Sequence, residues 1–317
     1  MSKTKMVLAL GGNALQSNPK DMTPQAQLLA AEETAETIVK LIKEGYEIVL
    51  SHGNGPQVGQ IIKTYEEALK CNPNNVKMPL CECGAMSEGY IGYHMQNAVN
   101  NKLRKLGINK TAGTIITQTI VDKNDKAFQN PTKPIGKFFT EDEAKELEKE
   151  GYIMKEDAGR GWRRVVPSPI PVNIIEAPII KDLMDNGFVP ICCGGGGIPV
   201  IIDENGNIKG VEAVIDKDFA SSTIAELLDV DYFVIVTAVD KVSINFNKPN
   251  QQDLDKMTVA EAEKYIEEGH FAPGSMLPKI QAAVHFAKSK AGRKAIITSI
   301  KNIKDAINGK NGTVIEM

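Results

Sequence analysis

Apolar and polar positions along the chain fall into two alternating kinds of segment. Short apolar runs at residues 6–10, 47–51, 113–118, 188–193, 232–237 and 295–297 are mostly rich in Val and Ile or bounded by glycine, and they predict strands buried on both faces. The longer stretches between them carry legible helix ends. Thr23 before Pro24 places a capping hydroxyl ahead of a proline at the first helical position, and Gly45 closes that helix. Thr140 with Glu143, and Thr258 with Glu261, have the spacing of a capping box. Gly107, Gly151, Gly187 and Gly269 stand where helices should stop. Strands alternating with helices predict a largely parallel sheet covered on both faces.

Two stretches depart from this rhythm. Residues 122–165 are rich in charge and carry their own short helix after Thr140, which predicts an insertion standing off the main sheet. Residues 198–214, with an Asn205-Gly206 turn, predict a β-hairpin. No internal repeat or low-complexity linker interrupts the chain. The expectation is one continuous domain over residues 1–317 with a small protruding subdomain at about 122–165.

Composition narrows the functional classes. With 42% hydrophobic and 24% charged residues, a chain of 317 residues can bury a sizeable core. A net charge of −3 disfavours nucleic acid as partner, since that needs a basic footprint. No apolar run approaches the ~20 residues of a membrane span. Residues 1–6 are polar and lead straight into a strand, so no signal peptide is expected and the cytoplasm is the expected compartment. The five cysteines are odd in number and form no C-x-x-C pair, which speaks against a disulfide framework or a zinc site. Cys192 and Cys193 end an apolar run and read as core, and Cys81-x-Cys83 is a poor metal pair.

In a parallel sheet, ligands bind beyond the carboxyl ends of the strands. Three glycine-rich turns follow three of the expected strands: Gly11-Gly12-Asn13-Ala14, His52-Gly53-Asn54-Gly55-Pro56, and the quartet Gly194, Gly195, Gly196 and Gly197. Glycine lets the backbone approach a ligand, and the freed N–H groups can point at an anion. Three such loops on one edge point to phosphate handling. The machinery is not a Walker loop, not a G-x-G-x-x-G dinucleotide turn, and not the H-R-D and D-F-G set of protein kinases. Charge on a transferring phosphoryl group must then be met by lysines and Mg²⁺. Lys217, within Asp216-Lys217-Asp218, and Lys279 each stand at an expected helix start, where a cation opposes the helix dipole unless an anion joins it. Lys133 lies inside the insertion. Arg160, Arg163 and Arg164 can bind an anion or brace the insertion, and bracing is the favoured reading. His52 adjoins a ligand loop without a required acid–base role.

These segments resemble the signatures of carbamate kinase. The resemblance is carried by Leu10-Gly-Gly-Asn-Ala14, Ser51-His-Gly-Asn-Gly-Pro-Gln-Val58, Asn130-Pro-Thr-Lys-Pro-Ile-Gly136, and Glu156-Asp-Ala-Gly-Arg-Gly-Trp162 through Pro167-Ser-Pro169. It continues through Gly194 to Pro199, Val214-Ile-Asp-Lys-Asp218 and Gly269-His-Phe-Ala-Pro-Gly-Ser-Met276, in order along the whole chain. It implies an amino-acid-kinase fold, a three-layer α/β/α sandwich normally found as a homodimer. It also implies reversible transfer between ATP plus carbamate and ADP plus carbamoyl phosphate, usually running toward ATP at the end of arginine breakdown. By the same resemblance Lys217 and Lys279 neutralise the transferring group, Asp218 holds the lysines, and Lys133 reaches over like a lid. Gly11, Gly12, Asn13, Gly53, Asn54 and Gly55 surround carbamoyl phosphate. Gly194, Gly195, Gly196, Gly197, Asp240 and Met276 lie on the nucleotide side, and Mg²⁺ arrives on ATP or ADP rather than in a protein metal site. Lys137 and Ser243 depart from the family pattern, which often has proline and an aromatic residue there. Other readings stay open at this point: a kinase of the same fold acting on an acidic amino acid or a nucleotide, a non-catalytic sensor, and a Rossmann-type oxidoreductase, which the missing G-x-G-x-x-G disfavours.

Overall fold

The computed structural model describes residues 4–12, 15, 21–157 and 159–317. The chain opens with β1 (Lys5–Leu10), α1 (Pro24–Lys43), β2 (Glu47–His52), α2 (Gly55–Cys71), α3 (Leu80–Lys105), β3 (Ala112–Thr114) and β4 (Gln118–Val121). It continues with β5 (Lys133–Phe139), α4 (Glu141–Lys149), β6 (Met154–Glu156), β7 (Trp162–Val166), β8 (Pro171–Ile174), α5 (Ala177–Asp185) and β9 (Val189–Ile191). Then come β10 (Ile198–Ile202), β11 (Ile208–Gly210), α6 (Lys217–Leu227), β12 (Tyr232–Thr237), β13 (Val242–Ile244), β14 (Gln252–Leu254) and β15 (Lys256–Thr258). The last elements are α7 (Val259–Glu267), α8 (Met276–Ser289), β16 (Lys294–Ser299), α9 (Ile303–Ile307) and β17 (Thr313–Glu316).

Eight strands form the central sheet in the order β15-β17-β16-β12-β1-β2-β9-β3. Every neighbouring pair is parallel except β16 with β17. Both faces are buried, as the apolar runs require. Alternate residues of one strand enter different cores, because successive side chains point to opposite faces. Val7 and Ala9 of β1, with Phe233 and Ile235 of β12, join α5, α6, α7 and α8 on one face. Met6, Leu8 and Leu10, with Val234 and Val236, join α1, α3 and α9 on the other. The result is a three-layer α/β/α sandwich. Phe233 also meets Phe286 of α8 edge to face at 5.6 Å, an arrangement that contributes about 0.5–1.5 kcal/mol beyond area burial.

The helix ends follow their local chemistry. Thr23 accepts the N–H of Ala26 ahead of Pro24, and Thr140 and Thr258 both form complete capping boxes. The run at 113–118, expected as one strand, is two. β3 pairs with β9 at the edge of the central sheet, whereas β4 joins a second sheet of order β11-β10-β4-β8. The break falls at Thr117, whose N–H is taken by the Glu88 carboxylate of α3 at 3.0 Å rather than by a neighbouring strand. The expected hairpin is β10 with β11, turned at Gly206.

Within the 122–165 stretch, β5, β7 and β6 form a three-stranded antiparallel sheet of their own, with β7 running on to Val166. Ile135 and Val166 pack on Leu80 of α3, with Ile62 of α2 and Val214 beside them, which ties this sheet to the body. The Thr258 box caps α7 reciprocally, so Thr258→Ala is expected to lower unfolding stability by about 1 kcal/mol. Urea denaturation checks this, and an unchanged midpoint would mean the box contributes nothing to α7.

Candidate active site

β1, β2 and β9 are neighbours in the parallel sheet, so the loops that follow them emerge at one edge. Gly11 is held close: its N–H donates to the Val236 carbonyl at 3.1 Å, and an added Cβ would fall 2.7 Å from that oxygen. The quartet is equally confined. A Cβ on Gly195 would stand 2.0 Å from Asn54 Nδ2, and one on Gly196 2.4 Å from the Ile215 carbonyl, at positive φ in both cases. Glycine is required here for close packing as well as for conformation.

Between these loops and the N-terminal ends of α6 and α8 lies a cavity of about 450 Å³, walled on its far side by β5 and β7. Asp218 sits at its base, 3% exposed. Its Oδ2 accepts from Lys279 Nζ at 2.8 Å, and its Oδ1 lies 2.8 Å from Lys217 Nζ. The Lys217 contact lacks hydrogen-bond alignment, so the buried Lys217 ammonium has no hydrogen-bond partner among the described residues. Burial would raise the Asp218 pKa, but Lys217 and Lys279 outweigh it and hold the carboxyl below the usual carboxylate range. Burial is also the main cause that lowers the Lys217 pKa, opposed by Asp218 and reinforced by Lys279. Two ammoniums thus share one carboxylate, leaving a positive excess that is costly to bury without an anion.

Lys133 of β5 reaches the same cavity and donates to Asp216 Oδ2 at 2.5 Å. Asp216 is also the N-cap of α6, its Oδ1 accepting the Asp218 N–H at 2.9 Å. Ser51 and Ser221 lie 2.6 Å apart, and Ser221 donates to the Lys217 carbonyl, which pins α6 to β2 behind the lysine.

The other expected site residues divide. Gly12, Gly53, Asn54, Gly55 and Gly195 line the cavity with the three lysines and Asp218. Gly12 and Lys279 also line a smaller adjoining cavity of about 270 Å³, with Gly11, Thr237 at the end of β12 and Ala238 beyond it. Gly194, Gly196 and Gly197 are buried, against His52, Ile215 and Thr119 respectively, and Gly195 stands beside Asn54. Asp240 and Met276 line neither cavity: Asp240 lies beyond β12, and Met276 opens α8 and packs on the core. Asn13 lies outside the described residues.

Sequence reading missed the support beneath the loops. Asn54 donates to Ser87 of α3 at 2.8 Å, and Ser87 donates to the Gly84 carbonyl at 2.6 Å. Glu88, the next residue, accepts the Thr117 N–H and has its other oxygen buried without a hydrogen-bond partner among the described residues. Burial pushes its carboxyl from the usual 4.5 up to about 8, against backbone N–H groups of Thr117 and Gly194 that favour the ionised form. His52 is pushed down to about 4, chiefly by burial, although its Nδ1 faces the Gly53 carbonyl at 2.9 Å. It is therefore neutral at neutral pH, and its Nδ1–H donates to that carbonyl.

The Glu88 shift fixes a sign. The folded state binds this proton more tightly than the unfolded chain, so its contribution falls as pH rises from about 4.5 through about 8. Glu88→Gln is expected to remove this loss, making the variant more stable than the parent at about pH 9 by on the order of a few kcal/mol, with little difference near pH 5. Denaturant titration at both pH values checks it, and parallel pH profiles would exclude the buried neutral carboxyl.

Comparison with known proteins identifies the setting of this geometry. The model of the amino acid kinase family matches residues 4–299. The carbamate kinase of Clostridium perfringens (strain 13 / Type A) is 54% identical over 312 residues, covering 98% of this chain and 99% of that protein. The carbamate kinase-like protein YqeA of Escherichia coli (strain K12) is 55% identical, with 99% of both chains covered. Among solved structures, carbamate kinase from Giardia lamblia bound to AMP-PNP superposes with a TM-score of 0.91 at 46% identity over 99% of both chains.

Proposed function

The chain belongs to the amino acid kinase family, and on that premise we propose that it transfers a phosphoryl group reversibly between ATP and carbamate, giving ADP and carbamoyl phosphate. The observation that carries this reading is the Lys217–Asp218–Lys279 cluster at the base of the cavity. It occurs in a chain about half identical, end to end, to proteins named carbamate kinase.

Carbamate already carries a nucleophilic oxygen anion, so the protein needs no general base. Catalysis reduces to holding two anions in line and neutralising charge as it moves. Lys279 and Gly12 line both cavities, which makes them the junction where the phosphoryl group passes. Carbamate or carbamoyl phosphate occupies the larger cavity, against Gly53, Asn54 and Gly55, with Gly12 at its edge and Gly11 in the adjoining cavity. The nucleotide phosphates occupy the smaller one, and the rest of the nucleotide extends past β12 toward Asp240 and Met276. Gly195 stands beside Asn54, which supports placing the quartet under the carbamate loop rather than on the nucleotide side.

Lys217, whose ammonium lacks a hydrogen-bond partner among the described residues, supplies a donor to the transferring group, and Asp218 keeps both lysines aimed at it. Lys133, on the small sheet, trades Asp216 for substrate and closes the cavity like a lid. Mg²⁺ supplies further charge neutralisation at the phosphates. No three His, Cys, Asp or Glu side chains converge to hold a metal among the described residues, and Asp216 and Asp218 are both engaged by lysines. This donor set fits an ion carried by the nucleotide. Among the described residues no helix is long and apolar enough to cross a membrane. We assign the enzyme to the cytoplasm, as a homodimer, with ATP synthesis at the end of arginine breakdown as its working direction.

The test is ATP formation from ADP, Mg²⁺ and carbamoyl phosphate, with acetyl phosphate as control donor and acidic amino acids and nucleoside monophosphates as control acceptors in reverse. Fast synthesis that prefers carbamoyl phosphate is expected; preference for another acceptor would overturn the assignment. Lys217→Ala and Lys279→Ala are each expected to lower kcat by roughly 10²–10³, the range for losing one preorganised donor. Near-normal turnover in either would remove that lysine from the chemistry.

A further inference from the structure

The three arginines of the small sheet do different work. Arg160 is 63% exposed and pairs with Asp157 at 2.6 Å. Arg164 pairs with Glu66 of α2 at 2.9 Å and stacks on Tyr152 at 4.3 Å, away from the lysine cavity. Both brace the insertion. Arg163, between them on β7, is turned into the cavity beside Lys133 and Gly136. Its side chain is 22% exposed.

The Arg163 guanidinium is held but not saturated. Its Nη2 donates to the Gly136 carbonyl at 3.1 Å, and Phe138 lies under the group at 5.2 Å. Its Nε is buried without a hydrogen-bond partner among the described residues. Its Nη1 lies 3.6 Å from Asp157 Oδ2, and Asp157 is the carboxylate that Arg160 already engages. One carboxylate therefore serves two guanidiniums on this wall. A guanidinium has five N–H donors in a planar fork suited to paired oxygens of a carboxylate or phosphate.

We propose that Arg163 contacts the substrate: its fork takes oxygens of the acyl phosphate or carbamate in the cavity, alongside Lys133. The assignment deepens the carbamate reading above and rests on it for the identity of the anion. Phe138 and the Gly136 carbonyl set the plane of the fork. The same strand that bounds the cavity thus also recognises the anion that fills it.

Arg163→Met, Arg163→Lys and, as control, Arg164→Met separate contact from bracing. Each is assayed for the KM of carbamoyl phosphate, the KM of ADP, the unliganded Tm, and the Tm increase given by inorganic phosphate. Arg163→Met is expected to raise the carbamoyl phosphate KM about 10–100-fold, the loss of a charge-assisted hydrogen bond. The ADP KM and the unliganded Tm should stay put, and the phosphate-dependent Tm increase should shrink. Arg163→Lys should restore only part, because a point charge lacks the fork. Arg164→Met should lower Tm without changing either KM. A carbamoyl phosphate KM within twofold of the parent, or a uniform loss of Tm and all kinetic constants in Arg163→Met, overturns the proposal. If the parent makes no ATP from carbamoyl phosphate, the carbamate reading falls, and an undiminished phosphate response in Arg163→Met would then reject Arg163 as an anion contact by itself.

Discussion

The site depends on one buried carboxylate shared by two ammoniums. Asp218 lies in the first turn of α6, Lys217 precedes it, and Lys279 comes from the first turn of α8. Both lysines stand at the end of a helix dipole that disfavours cations, and both are at least partly removed from water. Asp218 offsets only one of the two charges. The arrangement holds because α6 and α8 pack against each other, with Ala220 and Ala225 on one and Ala282 and Ala283 on the other all fully buried in the same core. Were the two helices to separate, one carboxylate could not reach both lysines. Core packing and the electrostatics of the cluster are here the same constraint.

A second layer, built by α3, makes the loops rigid. Ser87 takes the Asn54 amide, and Glu88 takes the N–H of Thr117 at the point where the chain leaves the central sheet. Thr117 in turn accepts the N–H of Cys193 and, through its carbonyl, that of Ile198, the residues flanking the quartet. One turn of one helix therefore fixes two of the three glycine loops. The Gly53, Gly196 and Gly197 N–H groups are themselves taken by backbone carbonyls, so this network sets the shape of the loops before any anion arrives.

The parts of this design that obey local rules were legible in the sequence. The apolar runs, the capping boxes at Thr140 and Thr258, and the glycines after helices concern residues near one another in the chain. Lys217 and Lys279 were legible because a cation at a helix start breaks a local preference. Glu88 gave no such signal: a glutamate inside a helix is ordinary, and only the fold turns it inward. The split of the 113–118 run was hidden for the same reason, since the hydrogen bond that ends β3 comes from α3. Arg163 was indistinguishable from its neighbours, because Arg160 in the turn before β7, and Arg163 and Arg164 on it, differ only in where the fold points each and which partner it meets. The quartet was recognised as a special turn, but the approach of Gly195 to Asn54 was hidden, because Asn54 is remote in sequence.

Asp216 joins these layers. One of its oxygens caps α6 and so orders the helix that carries Lys217 and Asp218; the other holds Lys133 from the small sheet. The cavity wall that bears Lys133 and Arg163 is thus latched to the helix that bears Lys217 and Asp218 through the side chain of Asp216. Counting this latch, the cavity holds three lysines against two carboxylates, with Arg163 on the wall sharing Asp157 with Arg160. The positive excess cannot be relieved by any acidic side chain lining the cavity, since Asp216 and Asp218 are both taken. On the proposed reading it is relieved by an anion entering between the wall and the base. Such an anion would give Lys133 an alternative to Asp216 and give Lys217 a hydrogen-bond acceptor, so that occupancy of the cavity and engagement of the wall would favour each other.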